Sequence, residues 1–319
     1  MNRLASAPLP GATEFTPEEL RDAASMTPLE IDVLSAKGEP SRIRKIRSPR
    51  SWAFDTSVIN GHVRARGAFA PNHMVVLTVL RGADSSICSV PLQAGVSLTI
   101  PDGEEITASI RPGVVYCATV LPVSVWADIV HAETGTAGGP APAAHSVLQP
   151  PRNAAHVSQQ LLETVTRFDA VAPQGLADEM PPALVDYLGA VAAALADADK
   201  IDRHVDRALG KRLRQAWLAE DFIRANLHEP LSILRICRTI GVSRRQLEYA
   251  FNTTFGVGPS EFIRIARLNR IRRQLRTAHA SGRTITEIAL ETGVTHLGRF
   301  AESYRRLFGE TPVQTVRRK

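Results

Sequence analysis

The chain has 319 residues, of which 44% are hydrophobic and 22% are charged, an ordinary balance for a globular protein of two or three domains. No apolar run approaches the roughly 18 residues of a membrane-spanning helix, and the first residues lack the apolar segment of a signal peptide. We therefore predict a cytoplasmic protein. Its three widely spaced cysteines, Cys88, Cys117 and Cys237, are predicted to be buried thiols in a reducing compartment.

The positive charge is concentrated at the C-terminal end of the chain. Residues 211–319 contain 21 Lys and Arg against 9 Asp and Glu, a net charge of +12, whereas the remaining residues carry a net charge of −6. A basic domain joined to an acidic remainder is typical of a protein that binds a polyanion. We predict that this polyanion is double-stranded DNA.

The first 40 residues are rich in Ala, Pro and Ser, which predicts an N-terminal tail that is partly helical or disordered. The basic run at residues 42–50 is typical of an edge strand whose Lys and Arg side chains face solvent. From residue 41 to residue 133, short β-branched or alternating runs are separated by turn sequences such as Asn60-Gly61. Seven such runs predict a β-barrel or β-sandwich domain.

The predicted β domain carries no metal or catalytic motif. His62, His73 and His131 are far apart and lack the close spacing of a metal site, so we predict no metal, no cofactor and no enzyme. A domain of this kind can hold a small apolar ligand. The side chains that would line such a site, for which an ordinary core position is the stronger interpretation, are Phe54, Phe69, Val76, Val115, Tyr116 and Trp126.

Two segments join this domain to the C-terminal one. Residues 134–156 are rich in Gly, Ala and Pro and predict a linker. Residues 157–210 predict a helical connector, and an apolar stripe runs along it at Leu184, Leu188, Val191 and Leu195. The stripe would pack either on the β domain or on a second copy of itself in a dimer.

One pattern occurs twice in the C-terminal domain at residues 211–319. The copies are LSILRICRTIGVSRRQLEYAFNTTFGVGPSEF and TITEIALETGVTHLGRFAESYRRLFGETPVQT. Each predicts a short helix, a turn at Gly241 or Gly293, and a second helix. Ser232 is predicted to cap the first helix of one copy, and Thr284 to form a capping box with Glu287 in the other.

The second helix of each copy has one apolar face. Its residues are Leu247, Phe251 and Phe255 in the first copy and Phe300, Tyr304 and Phe308 in the second. A helical bundle that only packs would satisfy the same pattern. The surrounding positive charge favours DNA binding instead.

Two stretches, GVSRRQLEYAFNTTFGVGPSEFIRIARL and ITEIALETGV…GRFAESYRRLFGETP, resemble the DNA-binding domain of the AraC/XylS family of bacterial transcription regulators. The resemblance covers under a third of the chain, and Val294 stands where the family usually has Phe. It implies an α+β multidomain protein: a cupin-like β domain, a helical connector and an all-α domain with two helix-turn-helix units. It also implies a homodimer, a small-molecule effector, and RNA polymerase as a partner beside DNA.

The resemblance further implies that the second helix of each unit enters the major groove. The residues that match groove-facing positions are Arg244, Arg245, Glu248 and Tyr249, then His296, Leu297, Gly298, Arg299, Glu302 and Ser303. Arg245 and Arg299 can pair with O6 and N7 of guanine, and a glutamate can accept from N4 of cytosine. The residues predicted to contact phosphate are Ser243, Thr295, Arg305 and Arg306.

Residues 260–277 predict a single helix between the two units, about 27 Å long. A helix of this length would place the recognition helices about one DNA turn apart, roughly 34 Å. We therefore predict a sequence-specific transcription regulator, an activator, that reads two short blocks of DNA. The alternatives are an architectural DNA binder and an enzyme with a basic accessory domain. The groove-facing glutamates count against the first, and the missing catalytic motifs against the second.

Overall fold

The computed structural model describes residues 12–16, 29–35, 39–48, 51–68, 70–82, 84–135, 146–148, 175–176, 179–197, 207–277, 282–294 and 296–317. Contacts divide them into two units. The second unit contains residues 32–35, 62–64 and 207–317, and the first unit contains the rest. None of the helices in these residues is both long and apolar enough to cross a membrane.

Strands make up most of the chain before residue 123. They are β1 (Thr13–Phe15), β2 (Glu30–Ser35), β3 (Ser41–Arg47), β4 (Ala53–Ile59), β5 (His62–Ala68), β6 (His73–Arg81), β7 (Ser86–Ile87), β8 (Val90–Pro91), β9 (Ser97–Ile100), β10 (Glu105–Ile110) and β11 (Val114–Pro122). Two short strands follow later, β12 (Ser146–Leu148) and β13 (Gly175–Leu176).

These strands form two sheets. The larger has the order β1-β3-β4-β11-β6-β9-β12, with β13 on β3, and the smaller has the order β2-β5-β10-β7-β8. Strand β10 lies in the smaller sheet, although β9 and β11, which precede and follow it, lie in the larger. The turns at residues 101–103 and 111–113 therefore lead from one sheet to the other and do not close hairpins. A β domain followed by an all-α domain is thus confirmed.

The region before residue 48 differs from its sequence-based prediction. Residues 13–15 and 30–35 are strands, where the composition predicted a partly helical or disordered tail. The basic run forms β3, which lies between β1 and β4 and is not an edge strand. Because a neighbour of only three residues is enough to cover an edge, the alternating pattern could not show that β3 is paired on both sides.

Two helices, α1 (Val123–Thr134) and α2 (Pro182–Asp197), share one core with the larger sheet. Leu184, Leu188 and Val191 of the predicted stripe are buried in it, and the Tyr187 hydroxyl lies 2.5 Å from the Thr78 hydroxyl. The stripe therefore packs on the β domain of its own chain, which removes the sequence-based reason for a dimer through it. Four candidate ligand-lining residues belong to the same core, namely Phe54, Val76, Val115 and Trp126.

Three further expectations for this part of the chain concern its unassigned segments, its cysteines and a metal site. Phe69, most of the predicted linker at 134–156 and the first part of the connector lie outside the described residues. All three cysteines are buried and no disulfide bond joins any two of them, and burial raises the pKa of the Cys88 thiol to about 11. No group of three or more His, Cys, Asp and Glu in the described ranges is arranged to hold a metal ion.

The second unit is mainly helical. Its helices are α3 (Arg207–Ala225), α4 (Ile233–Ile240), α5 (Arg244–Phe255), α6 (Pro259–Arg276), α7 (Ile285–Glu291), α8 (Leu297–Phe308) and α9 (Pro312–Arg317). Residues from α3 to α8 share one apolar core. The single helix predicted at 260–277 is α6, which begins one residue earlier because Pro259 occupies its first turn.

A buried ionic cluster lies inside this second unit. The Arg64 Nε lies 2.5 Å from the Glu220 carboxylate, and neither side chain is exposed to solvent. Arg224 also donates to Glu220 and binds Asp32, which Arg273 contacts at 2.5 Å. Burial raises the pKa of Glu220. Burial also acts to raise the pKa of Asp32, but the charges of Arg224 and Arg273 outweigh it and the pKa is lowered.

Candidate nucleic-acid interface

The first helix-turn-helix unit is formed by α4 and α5. Ser232 caps α4 by accepting a hydrogen bond from the Arg235 backbone at 3.2 Å, as predicted. Gly241 ends α4 at φ +69, a left-handed conformation that a glycine adopts without steric cost. Ser243 then caps α5 in a capping box with Gln246, with hydrogen bonds of 2.8 and 3.2 Å. The sequence therefore fixes both ends of the turn that precedes α5.

The second helix-turn-helix unit is formed by α7 and α8. Thr284 and Glu287 form the predicted capping box, with hydrogen bonds of 2.8 and 3.2 Å. The hydrogen bond from the Thr284 backbone lowers the pKa of Glu287, as expected for a carboxylate at a helix start. The turn contains Gly293 at φ +83. His296 is the N-cap of α8, but its side chain makes no capping hydrogen bond.

The apolar face of α5 holds the first unit together. Leu247, Phe251 and Phe255 are fully buried, as predicted. The Phe255 ring lies 4.6 Å from the ring of Phe262 on α6 and 5.1 Å from that of Trp217 on α3, measured between centroids. These contacts fix α5 against both neighbouring helices and direct its opposite side to solvent.

The matching face of α8 differs from the prediction at one position. Phe300 and Tyr304 are buried, but the third buried residue is Leu307, and Phe308 is only partly buried. The Arg272 guanidinium lies 4.4 Å from the centroid of the Phe308 ring. An i, i+4, i+8 series drifts around a helix by about 40° per step, or about 80° over two steps, because the helix has 3.6 residues per turn. On α8 the third residue, Phe308, lies at the rim of the core, whereas Phe255, at the matching position of α5, is fully buried.

The residues predicted to meet DNA lie on the open sides of α5 and α8. Ser243, Arg244, Arg245 and Tyr249 are exposed and Glu248 is half-buried. In the second copy Ser303 is half-buried and the exposed residues are His296, Leu297, Gly298, Arg299, Glu302, Arg305 and Arg306. Thr295 lies outside the described residues. On each helix the structure therefore brings the predicted residues to solvent together.

The arginines of this face differ from other arginines of the domain in their partners. Arg235, Arg264 and Arg283 each bind a nearby glutamate, respectively Glu229, Glu261 and Glu291. Arg244, Arg245 and Arg299 form no ion pair with any other described residue. Their guanidinium groups therefore retain the donors that a guanine edge or a phosphate accepts.

Glu248 has a neighbour that the sequence did not reveal. Its Oε2 atom lies 3.0 Å from the position that a Cβ on Gly258 would occupy, and Gly258 is the N-cap of α6. A carboxylate at a helix N-terminus interacts favourably with the unpaired N–H groups of the first turn. This position stabilises the start of α6 and competes with the predicted role of Glu248 in reading cytosine.

Arg212 is a residue of this surface that sequence reasoning missed. It lies on α3, outside both repeats, and its guanidinium carbon is 4.8 Å from the centroid of the exposed Tyr249 ring. Such a cation–π contact restrains both side chains. No periodic signal links residues 212 and 249, because their contact depends on the packing of α3 against α5.

The repeat matches known proteins. A helix-turn-helix domain family matches residues 236–318. The probable thc operon regulatory protein of Rhodococcus erythropolis is 35% identical over 100 residues, which are 31% of this chain and 30% of that protein. The XylDLEGF operon transcriptional activator of Pseudomonas putida is 36% identical over 139 residues, 43% of each chain. The matched stretches are thus less than half of the length of either relative.

A solved structure of a transcriptional regulator from Chromobacterium violaceum, described as containing an AraC-type DNA-binding domain, is 35% identical to this chain. The match covers 32% of this chain and 89% of that one, with a TM-score of 0.31. The two relatives above, which match over the helix-turn-helix units, are named as a regulatory protein and an activator of an operon. Residues 236–318 are therefore a helix-turn-helix domain of the AraC/XylS type.

Proposed function

We propose that this protein is a transcription regulator that binds a bipartite DNA site, with α5 in one major groove and α8 in the next. The observation that carries the proposal is that α5 and α8 expose arginines, Arg245 and Arg299 among them, that have no carboxylate partner among the described residues. Arg245 and Arg299 would each read a guanine, and Arg305 and Arg306 would contact phosphates.

The names of the relatives support a proposal about the sign of regulation. The Pseudomonas putida relative is named as an activator of its operon, and we propose that this protein also activates transcription, with RNA polymerase as its partner at the promoter. We further propose that a small-molecule effector acts through the first unit, as the family resemblance implies. A homodimer also remains a proposal, and it rests on that resemblance alone because the stripe on α2 packs within its own chain.

The direct test is selection of random duplex DNA by the full-length protein. We expect enrichment of two short blocks about one helical turn apart, on the order of 10 base pairs. A promoter that carries the selected site, placed ahead of a reporter gene, should then give more transcript when the protein is present. A lower transcript level would reverse the proposed sign of regulation while leaving the DNA site in place.

The competing functions give different results in the same selection. An architectural protein would retain DNA without enriching any block, because it contacts phosphates and shape alone. Failure to retain DNA at low salt would contradict every DNA-binding function, and an enzyme with a basic accessory domain would then be the remaining hypothesis.

A further inference from the structure

Arg267 occupies the middle of α6, the helix that connects the two helix-turn-helix units. Its Nε donates to the Leu227 carbonyl at 3.1 Å, and its Nη2 donates to the Glu229 carbonyl at 2.7 Å. Both acceptors lie in the segment between the end of α3 at Ala225 and the start of α4 at Ile233. The guanidinium therefore holds α6 to the segment that leads into the first unit.

The turn of the second unit reaches the same place. A Cβ on Gly293 would lie 2.7 Å from the Leu227 carbonyl oxygen and 3.1 Å from Nη2 of Arg267. Only a glycine fits this approach, and its φ of +83 also favours glycine. Gly293 precedes the start of α8 at Leu297 by four residues. One guanidinium thus touches both the segment ahead of the first unit and the turn ahead of the second recognition helix.

The chemistry of this contact favours a positioning role for Arg267. Its side chain is half-buried and forms no ion pair with the described residues, so two carbonyl dipoles offset the loss of hydration. Burial lowers the pKa of this guanidinium, although an arginine stays charged at neutral pH. A lysine could not make the same contact because its single ammonium lacks the planar fork that reaches two carbonyls in fixed directions.

The two copies share one apolar core, but apolar side chains leave a groove open beside Arg267. A cavity of about 340 Å³ lies between them, lined by Leu231 and Ile233 of the first copy, by Val294 and Phe300 of the second, and by Arg267. The guanidinium contacts therefore add a polar restraint at a place that apolar side chains leave open.

We propose that Arg267, seated against Gly293, sets the distance between the two recognition helices and thereby the length of DNA that the protein accepts between its two blocks. The inference rests on the proposed function. It adds that one side chain determines the spacer length that the protein accepts. A change of one base pair moves a block by about 3.4 Å along the duplex and rotates it by about one tenth of a turn. A rigid pair of helices cannot follow such a change.

The test measures binding of the full-length protein to duplexes whose two selected blocks are separated by the best spacer or by one or two base pairs more or fewer. We expect the wild-type protein to lose about tenfold or more in affinity per base pair of error, about 1.4 kcal/mol. Arg267→Met and Arg267→Lys should bind the best spacer more weakly, and their loss per base pair should fall below about threefold. The bases preferred within each block should not change.

Arg270→Met is the matched control, because Arg270 is a half-exposed arginine of the same helix. It should keep the wild-type spacer profile even if the loss of a charge weakens binding at all spacers. The inference is wrong if Arg267→Lys keeps the sharp dependence of affinity on spacer length while its thermal unfolding curve shows that it is folded.

Two further outcomes do not depend on any variant. Equal binding of the wild-type protein to all spacers would overturn the inference while leaving the proposed function intact. Selection of no bipartite site by the wild-type protein would instead contradict the proposed function itself, and the inference with it.

Discussion

The Asp55 carboxylate accepts a hydrogen bond of 3.0 Å from the Ser57 hydroxyl, two residues along the same buried strand. Burial raises the pKa of Asp55 from 3.8 to about 6, although this hydrogen bond and the charge of Lys45 act to lower it. Between these two pH values the folded state binds a proton that the unfolded state releases. The free energy of unfolding should therefore fall by about 2–3 kcal/mol as the pH rises from about 4 to about 6, and this penalty should persist above pH 6.

Asp55→Asn should remove that pH dependence and make the protein more stable at pH 8. Chemical unfolding at pH 4, 6 and 8 measures both effects. Asp186→Asn, which removes an exposed carboxylate on α2, is the control and should keep the wild-type profile. An unchanged profile in Asp55→Asn would show that this carboxyl group is not the source of the pH dependence.

Arg245→Ala should relax the base preference at one position of the first DNA block. The expected loss is about 1–3 kcal/mol for the preferred base, with little change for the other bases. Arg305→Ala, in contrast, should weaken binding to all sequences and reduce the salt slope by about 1, as expected for a phosphate contact. Competition binding with single-base variants over a range of salt concentrations separates the two. Uniform weakening by Arg245→Ala would exclude a base-reading role.

Phe255→Ala should lower the free energy of unfolding by about 3–5 kcal/mol, because the ring is fully buried and contacts two other aromatic rings. Phe308→Ala should cost clearly less, since Phe308 lies at the rim of the core and part of its ring is already in water. Thermal unfolding of the two variants measures the difference. Equal losses would mean that Phe308 is as well packed as its counterpart in the first copy.

Glu220→Gln should destabilise the second unit by about 3–5 kcal/mol, because it leaves the buried Arg64 guanidinium without its carboxylate. Arg64→Met should cost less, because Arg224 still donates to the Glu220 carboxylate. Arg64→Met combined with Glu220→Leu should be less harmful than the sum of the two single changes, since no lone charge remains buried. A double-mutant cycle by chemical unfolding gives the coupling energy, and a value near zero would show that the two groups do not stabilise each other.

The features that the sequence predicted correctly depend on neighbours along the chain. Thr284 and Glu287 form hydrogen bonds within one helical turn, so the residue types alone indicate the capping box. The apolar face of α5 follows from helical periodicity in the same way. For these reasons both helix-turn-helix units and their exposed faces were predictable.

The features that the sequence did not reveal depend on contacts between distant segments. Arg212 stacks on Tyr249 and Arg267 reaches the Leu227 carbonyl only once several helices have packed. Strands β1 and β2 were missed because a strand of three to six residues in a tail rich in Pro and Ala has almost no local signal. Glu248 matched a groove-facing position, yet the sequence could not show that its carboxylate would meet the N-terminus of α6.

The burial of Leu184, Leu188 and Val191 against the larger sheet has a consequence for stoichiometry on DNA. A single chain can fill an operator that holds one pair of blocks, because both recognition helices belong to the same polypeptide. If the protein binds as single chains, the number of copies at a promoter would be determined by how many such pairs the promoter contains, whereas the proposed homodimer would fill two pairs at once.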